Sequence, residues 1–175
     1  MKIGKIILFL FLAFNLAQAQ DCKLAKNETD KFTKSKTVYT QPVKVTAERI
    51  KLKNAYSIDK VELQIKVENQ NYLIHLDYFF ASGLSVANTS NKLILLLDDG
   101  STIDAPCIQD MPSQRGSAFT AIISYDFKVA ASDFVRLIKS DITDIRMTAQ
   151  INPIDFSISK EIRTSKLFNC VIQTN

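Results

Sequence analysis

The chain has 175 residues, 46% hydrophobic and 23% charged, with 22 basic against 18 acidic side chains, one histidine, three cysteines and no tryptophan. Such a length and composition suit a single domain with a proper core. A net charge of +4 carried by dispersed lysines and arginines argues against a nucleic-acid partner, and four glycines leave little material for a nucleotide-binding loop.

In chain order, the first element is a secretory signal over residues 1–19. Lys2 and Lys5 precede an apolar run from Ile6 to Phe14, and Ala17-Gln18-Ala19 supplies the small residues of a cleavage site. The run is far short of the roughly 20 residues that span a bilayer, so no membrane span is expected after cleavage. The product is expected to begin at Gln20 and to be periplasmic, cell-surface or secreted. A lipid on Cys22 is not expected, because Gln20 and Asp21 stand where a lipoprotein signal carries small apolar residues. Losing Lys2 and Lys5 leaves 20 basic against 18 acidic groups, a net charge of +2.

Residues 20–42 are polar around a lone Phe32 and read as an N-terminal arm laid against the domain; residues 43–175 form the single β-rich domain. Val43, Val45 and Ala47 alternate with polar residues, then the phase shifts to Ile50 and Leu52, as a bulge near Arg49 would produce. Val61, Leu63, Ile65 and Val67 form the clearest half-buried strand. Asn69-Gln70-Asn71 is a turn, and Tyr72, Ile74, Leu76, Tyr78 and Phe80 continue as the second arm of a hairpin. After a loop over 81–91, the unbroken run Leu93 to Leu97 predicts a strand covered on both faces. Asp99-Gly100 is a hairpin turn, Thr102 to Ala105 return, and 109–117 form a loop.

Ala121, Ile123, Tyr125, Phe127 and Val129 line one face of a long strand. Ser132 is expected to cap a short helix bearing Phe134, Leu137 and Ile138. Ile145, Met147, Ala149 and Ile151 give a further strand, Asn152-Pro153 a turn, and Ile154, Phe156 and Ile158 its partner. Ser159 is expected to cap a terminal helix reaching Val171. The fold class is α+β: a mainly antiparallel sheet of about eight strands with a short internal helix and a C-terminal helix, a β-sandwich being the alternative.

The three cysteines, Cys22, Cys107 and Cys170, would enter an oxidising compartment, which predicts one disulfide and one remaining thiol. Three pairings are open. Cys22 with Cys170 is preferred because the termini of compact domains often lie close together. With His75 the only histidine and the cysteines far apart, neither structural zinc nor a cofactor is expected.

Asp21-Cys22, Asn27-Glu28-Thr29-Asp30-Lys31-Phe32-Thr33 and Thr40-Gln41-Pro42 resemble the start of uncharacterised small exported proteins of Bacteroidota-type bacteria. Lys92 to Thr102, Ile142 to Arg146 and the segment ending at Asn169-Cys170 fit the same pattern, so the likeness covers most of the mature chain. A glycine often follows the Phe-Thr pair there, whereas this chain has Lys34. The resemblance implies a Gram-negative periplasm or cell surface and brings no catalytic residues.

His75 and Asp77 would share a strand face and are the candidate acid–base pair, although a half-exposed strand puts polar residues there anyway. No G-x-S-x-G elbow delivers a serine to them. Ser57-Ile58-Asp59-Lys60 matches S-x-x-K without the helix that chemistry needs, since Lys60 opens a strand. Asp98, Asp99 and Asp104 miss the spacing of a calcium loop. Cys107 is expected to be buried rather than reactive. These residues favour a non-catalytic exported module that binds an envelope protein or surface polymer. The alternatives are a periplasmic hydrolase using His75 and Asp77, and a carrier of a small apolar ligand lined by Phe79, Phe80, Phe119 and Phe127.

Overall fold

A computed structural model describes residues 23–46, 48–51, 57–80, 86–87, 90–109, 111–112, 114–115, 121–148 and 153–173. Its backbone is built outward from one hairpin. Strands β5 (Ser57–Glu68) and β6 (Asn71–Phe80) pair antiparallel from Glu68↔Asn71 through Val61↔Tyr78 to Ile58↔Phe80. Only Asn69 and Gln70 lie between them, both with positive φ (49° and 65°). Two left-handed residues give the twist that matches paired strands. Strand β12 (Ala121–Val129) covers the far edge of β6 from Val129↔Tyr72 to Ala121↔Phe80, and β11 (Gln114–Arg115) pairs with β12 in turn.

The free edge of β5 is closed piecemeal. Three short strands, β2 (Lys36–Thr40), β3 (Val43–Lys44) and β4 (Ile50–Lys51), pair with successive parts of it. Where these strands stop, buried threonines take over: Ile65 N donates to Thr40 Oγ1 at 3.0 Å and Val61 N to Thr46 Oγ1 at 3.2 Å. Each satisfies a backbone donor that would otherwise be orphaned in the core. Strand β1 (Leu24–Thr29) pairs with β2 and makes this sheet eight-stranded. Thus 24–40, within the stretch 20–42 expected as an arm, is a hairpin continuous with the sheet. Its alternation was hidden because β1 is a mostly exposed edge strand.

A second, four-stranded sheet runs in the order β14 (Ile154–Ser157), β13 (Ile142–Thr148), β8 (Lys92–Leu97), β9 (Thr102–Pro106). Gly100 closes the β8–β9 turn at φ 81°, its N–H bonded to Leu97 O at 3.0 Å. Strand β8 is central in its sheet yet covered on one face only, since Leu93, Leu95 and Leu97 are buried while Leu96 is 36% exposed. The expectation of two covered faces fails because one side of this sheet is open. A small ladder joins β7 (Val86–Ala87) to β10 (Met111–Pro112). Every pairing is antiparallel and the packing is sandwich-like.

One core joins the layers. The inner face of the large sheet supplies Val61, Leu63, Ile65, Ile74, Leu76, Tyr78, Ile123, Tyr125 and Phe127, and the small sheet supplies Leu93, Leu95, Ile145, Met147 and Phe156. Tyr78 meets Tyr125 and Phe156 edge-on at 5.5 and 6.1 Å. Helix α1 (Ala131–Lys139) and helix α2 (Thr164–Ile172) close one end, where Phe134 stacks on Tyr72 at 4.0 Å and meets Phe168 edge-on at 5.5 Å.

Both helix starts depart from expectation. Ser132 lies inside the first turn of α1, which begins after Ala130 without a side-chain cap. Helix α2 starts beyond Ser159, because Ile158 N and Ser159 N are spent on Thr143 O and Val45 O in the sandwich. Its cap comes from elsewhere in the chain. Asp141 Oδ1 accepts Ser165 N at 2.8 Å while Oδ2 meets Arg163 Nε at 2.5 Å, placing a carboxylate at the positive end of the helix.

Candidate functional site

Because β5, β6 and β12 alternate in register, the residues between their core positions meet on the outer face of the large sheet. His75 lies opposite Gln64 on one side and Asp126 on the other; Asp77 lies opposite Glu62 and Ser124. The only histidine therefore sits in a row of polar groups. Its Nδ1 is 2.8 Å from Asp126 Oδ1, and its Nε2 is 3.2 Å from Asp77 Oδ1.

Further groups extend the row at both ends. Ser124 Oγ donates to Asp77 Oδ1, while Asp126 receives Lys66 Nζ at 3.2 Å on Oδ1 and Gln109 Nε2 at 3.4 Å on Oδ2. The side chains of His75, Asp126 and Lys66 are only 14%, 10% and 15% exposed, so these contacts act in a partly dehydrated setting. Burial pulls the His75 pKa down, but hydrogen bonds to Asp126 and Asp77 outweigh it, and the net shift is upward. Burial pushes both carboxyls up, and their bonds to His75 reverse it, leaving Asp77 and Asp126 below the usual carboxylate range.

The sequence pair His75–Asp77 is thus brought together, but inside a larger set. Asp126 and Lys66 were legible as wet-face residues of their own strands. Their meeting depends on register between positions 60 residues apart, which alternation alone does not fix.

The geometry has a chemical consequence. A general-base histidine needs a ring nitrogen open to its nucleophile. Here both nitrogens face carboxylates, and Ser124 donates to Asp77 rather than to His75.

The other candidates disperse. Ser57 and Lys60 both fall in β5, with Lys60 paired to Glu62 at 2.7 Å and set 4.0 Å over the Phe79 ring. Asp99 Oδ1 accepts Ser101 N at 2.8 Å, Asp104 pairs with Lys92 at 3.2 Å, and among the described residues no group of three side chains is arranged to hold a metal. Phe79 and Phe80, adjacent in β6, face opposite sides of the sheet; Phe127 is fully buried in the core; Phe119 lies outside the described residues. Phe79, Phe80 and Phe127 do not line one cavity.

Cys107 is buried and its thiol donates to Gln109 O at 3.3 Å. Cys170 is buried in α2 as a disulfide cysteine, Cys22 lies outside the described residues, and no disulfide joins two described residues. No helix among the described residues is long and apolar enough to cross a membrane. Compared with protein-family models, curated proteins and solved structures, the chain matches none.

Proposed function

We propose that this protein is a non-catalytic binding module, exported to the bacterial envelope, that engages another envelope protein or a surface polymer. The observation that carries the proposal is the bracketing of His75 by two carboxylates. It supports a structural role for the one histidine, whose protonated ring ties β6 to β12 across the sheet. The hydrolase alternative would need that ring open on one side.

Two measurements test the proposal. Intact mass of the protein purified from its native envelope is expected to begin at Gln20, without lipid and with Cys22 joined to Cys170; a retained residue 1–19 segment or a lipid mass would contradict export as a soluble product. Crosslinking in the native cell is expected to attach the mature protein to one specific partner, and His75→Gln is expected to retain that partner. Labelling of a serine by a broad acyl-enzyme probe, abolished in His75→Gln, would favour the hydrolase instead.

A further inference from the structure

The end of the large sheet carries a feature that the His75 cluster does not explain. The β1–β2 turn and the β5–β6 turn stand side by side, joined by Asn69 N donating to Lys36 O at 3.4 Å. Between them lies an open groove of about 450 Å³, lined by Thr33, Lys34, Ser35, Lys36, Asn69 and Gln70, with Val67 and Tyr72 behind. That volume lies within the range of small-ligand sites.

Three independent observations converge on it. Lys34 and Lys36 take part in no ion pair among the described residues, although the two hairpins carry acids of their own, Asp30 and Glu68. Those acids are engaged elsewhere: Asp30 Oδ1 accepts Phe32 N and Thr33 N at 2.8 and 2.7 Å, and Glu68 holds the Tyr39 hydroxyl. Second, Lys34 lines this groove with a positive φ of 58°, whereas the positive φ of Asn69 and Gln70 belongs to their two-residue hairpin turn. The β1–β2 turn closes on Lys34 N donating to Asp30 O at 2.9 Å, where glycine would be unstrained. A lysine held in a left-handed conformation keeps a cation at the rim at the expense of local stability. Third, the walls are fixed, since Tyr72 is clamped by Phe134 at 4.0 Å and Thr33 Oγ1 bonds Ser35 Oγ at 2.8 Å.

Two ammonium groups without an ion pair among the described residues, two carboxamides, two hydroxyls and an aromatic ring form a polar, concave and cationic set. It matches a carboxylate-bearing sugar, which offers one anion and many hydroxyls. A lipid surface fits less well, because only Phe32 at the turn is both large, apolar and strongly exposed (83%) there.

We infer that the groove between the two hairpin turns binds an acidic glycan, with Lys34 and Lys36 meeting the uronate carboxylate and Asn69, Gln70, Thr33 and Ser35 the hydroxyls. This inference rests on the polymer-binding form of the proposed function and names the site for it.

Calorimetric titration of the mature protein with a galacturonate tetramer, against a glucose tetramer and phosphatidylglycerol vesicles, tests it. The uronate is expected to bind and the neutral tetramer to bind about tenfold more weakly or not at all, the discrimination one charge-assisted contact gives. Lys34→Gly and Lys36→Gln are each expected to weaken uronate binding about tenfold, Lys34→Arg to retain it. Lys34→Gly relieves the turn, so a raised melting temperature beside the lost affinity separates binding from misfolding. Unchanged affinity in both neutralised variants would overturn the groove while leaving polymer binding standing. No uronate binding, or binding to vesicles alone, would overturn the inference itself, and the proposed function would then rest on the crosslinked partner.

Discussion

The His75 cluster and the groove between the hairpin turns are both polar, both built from residues of the large sheet, and opposite in their accounts of charge. In the cluster, Lys66, His75, Asp77 and Asp126 are paired with one another within partly buried contacts. In the groove, Lys34 and Lys36 make no ion pair among the described residues, and Lys34 sits at a positive φ. Polar groups that pair with one another hold a structure together, whereas solvated charges gathered in a concave site remain available to a ligand.

Both regions hang on the core, so the largest effect is expected there. Phe134→Ala removes the ring contacts that Phe134 makes with Tyr72 and with Phe168 and is expected to cost about 3–5 kcal/mol in urea unfolding, loosening the groove wall as well. Equal uronate affinity in a folded Phe134→Ala would break the link between the groove and the helices.

Removing half of a satisfied pair comes next. Asp126→Ala leaves His75 and Lys66 without their shared carboxylate and is expected to cost about 3 kcal/mol, with His75→Gln milder at about 2 kcal/mol. Losses below a few tenths of a kcal/mol would mean the cluster holds nothing together.

The cluster also sets a pH dependence. A raised His75 pKa contributes stability that is present below the ordinary histidine value of about 6.5 and fades as pH climbs through the raised value. Lowered Asp77 and Asp126 pKa values contribute stability present above about 4 that fades as pH falls through the lowered values. Stability measured by denaturant titration is therefore expected to peak between those limits. His75→Gln should lose the limb that falls toward alkaline pH.

The smallest effect has the opposite sign. Lys34→Gly is expected to gain about 0.5–1 kcal/mol by relieving the left-handed strain, net of the extra freedom glycine gives the unfolded chain. A loss of stability would show that the Lys34 side chain supports the turn.

Much of the large sheet was legible in residue order, because β5, β6 and β12 each bury every second residue against one core. Asp99-Gly100 announced its turn through the one conformation glycine tolerates best. The β1–β2 hairpin was missed since an edge strand buries little and so alternates little. Helix α2 was started too early because its cap, Asp141, comes from a distant loop, while Ser159 is held to Val45 instead. His75 and Asp77 were visible as neighbours on one face, whereas their defining partners, Asp126 and Ser124, required the β6–β12 register. The groove left no sequence signal beyond Lys34 standing where glycine would be easier.

Since His75 is the only histidine in the chain, its ring resonances assign themselves. A pH titration of those resonances by nitrogen-edited NMR tests the central claim, that this ring is a bracketed cation and not an open base. The expected result is a midpoint above the ordinary value of about 6.5, with both ring nitrogens protonated below it. A midpoint below that value, with one nitrogen unprotonated and exchanging freely with solvent, would contradict the account and return His75 to the candidates for catalysis.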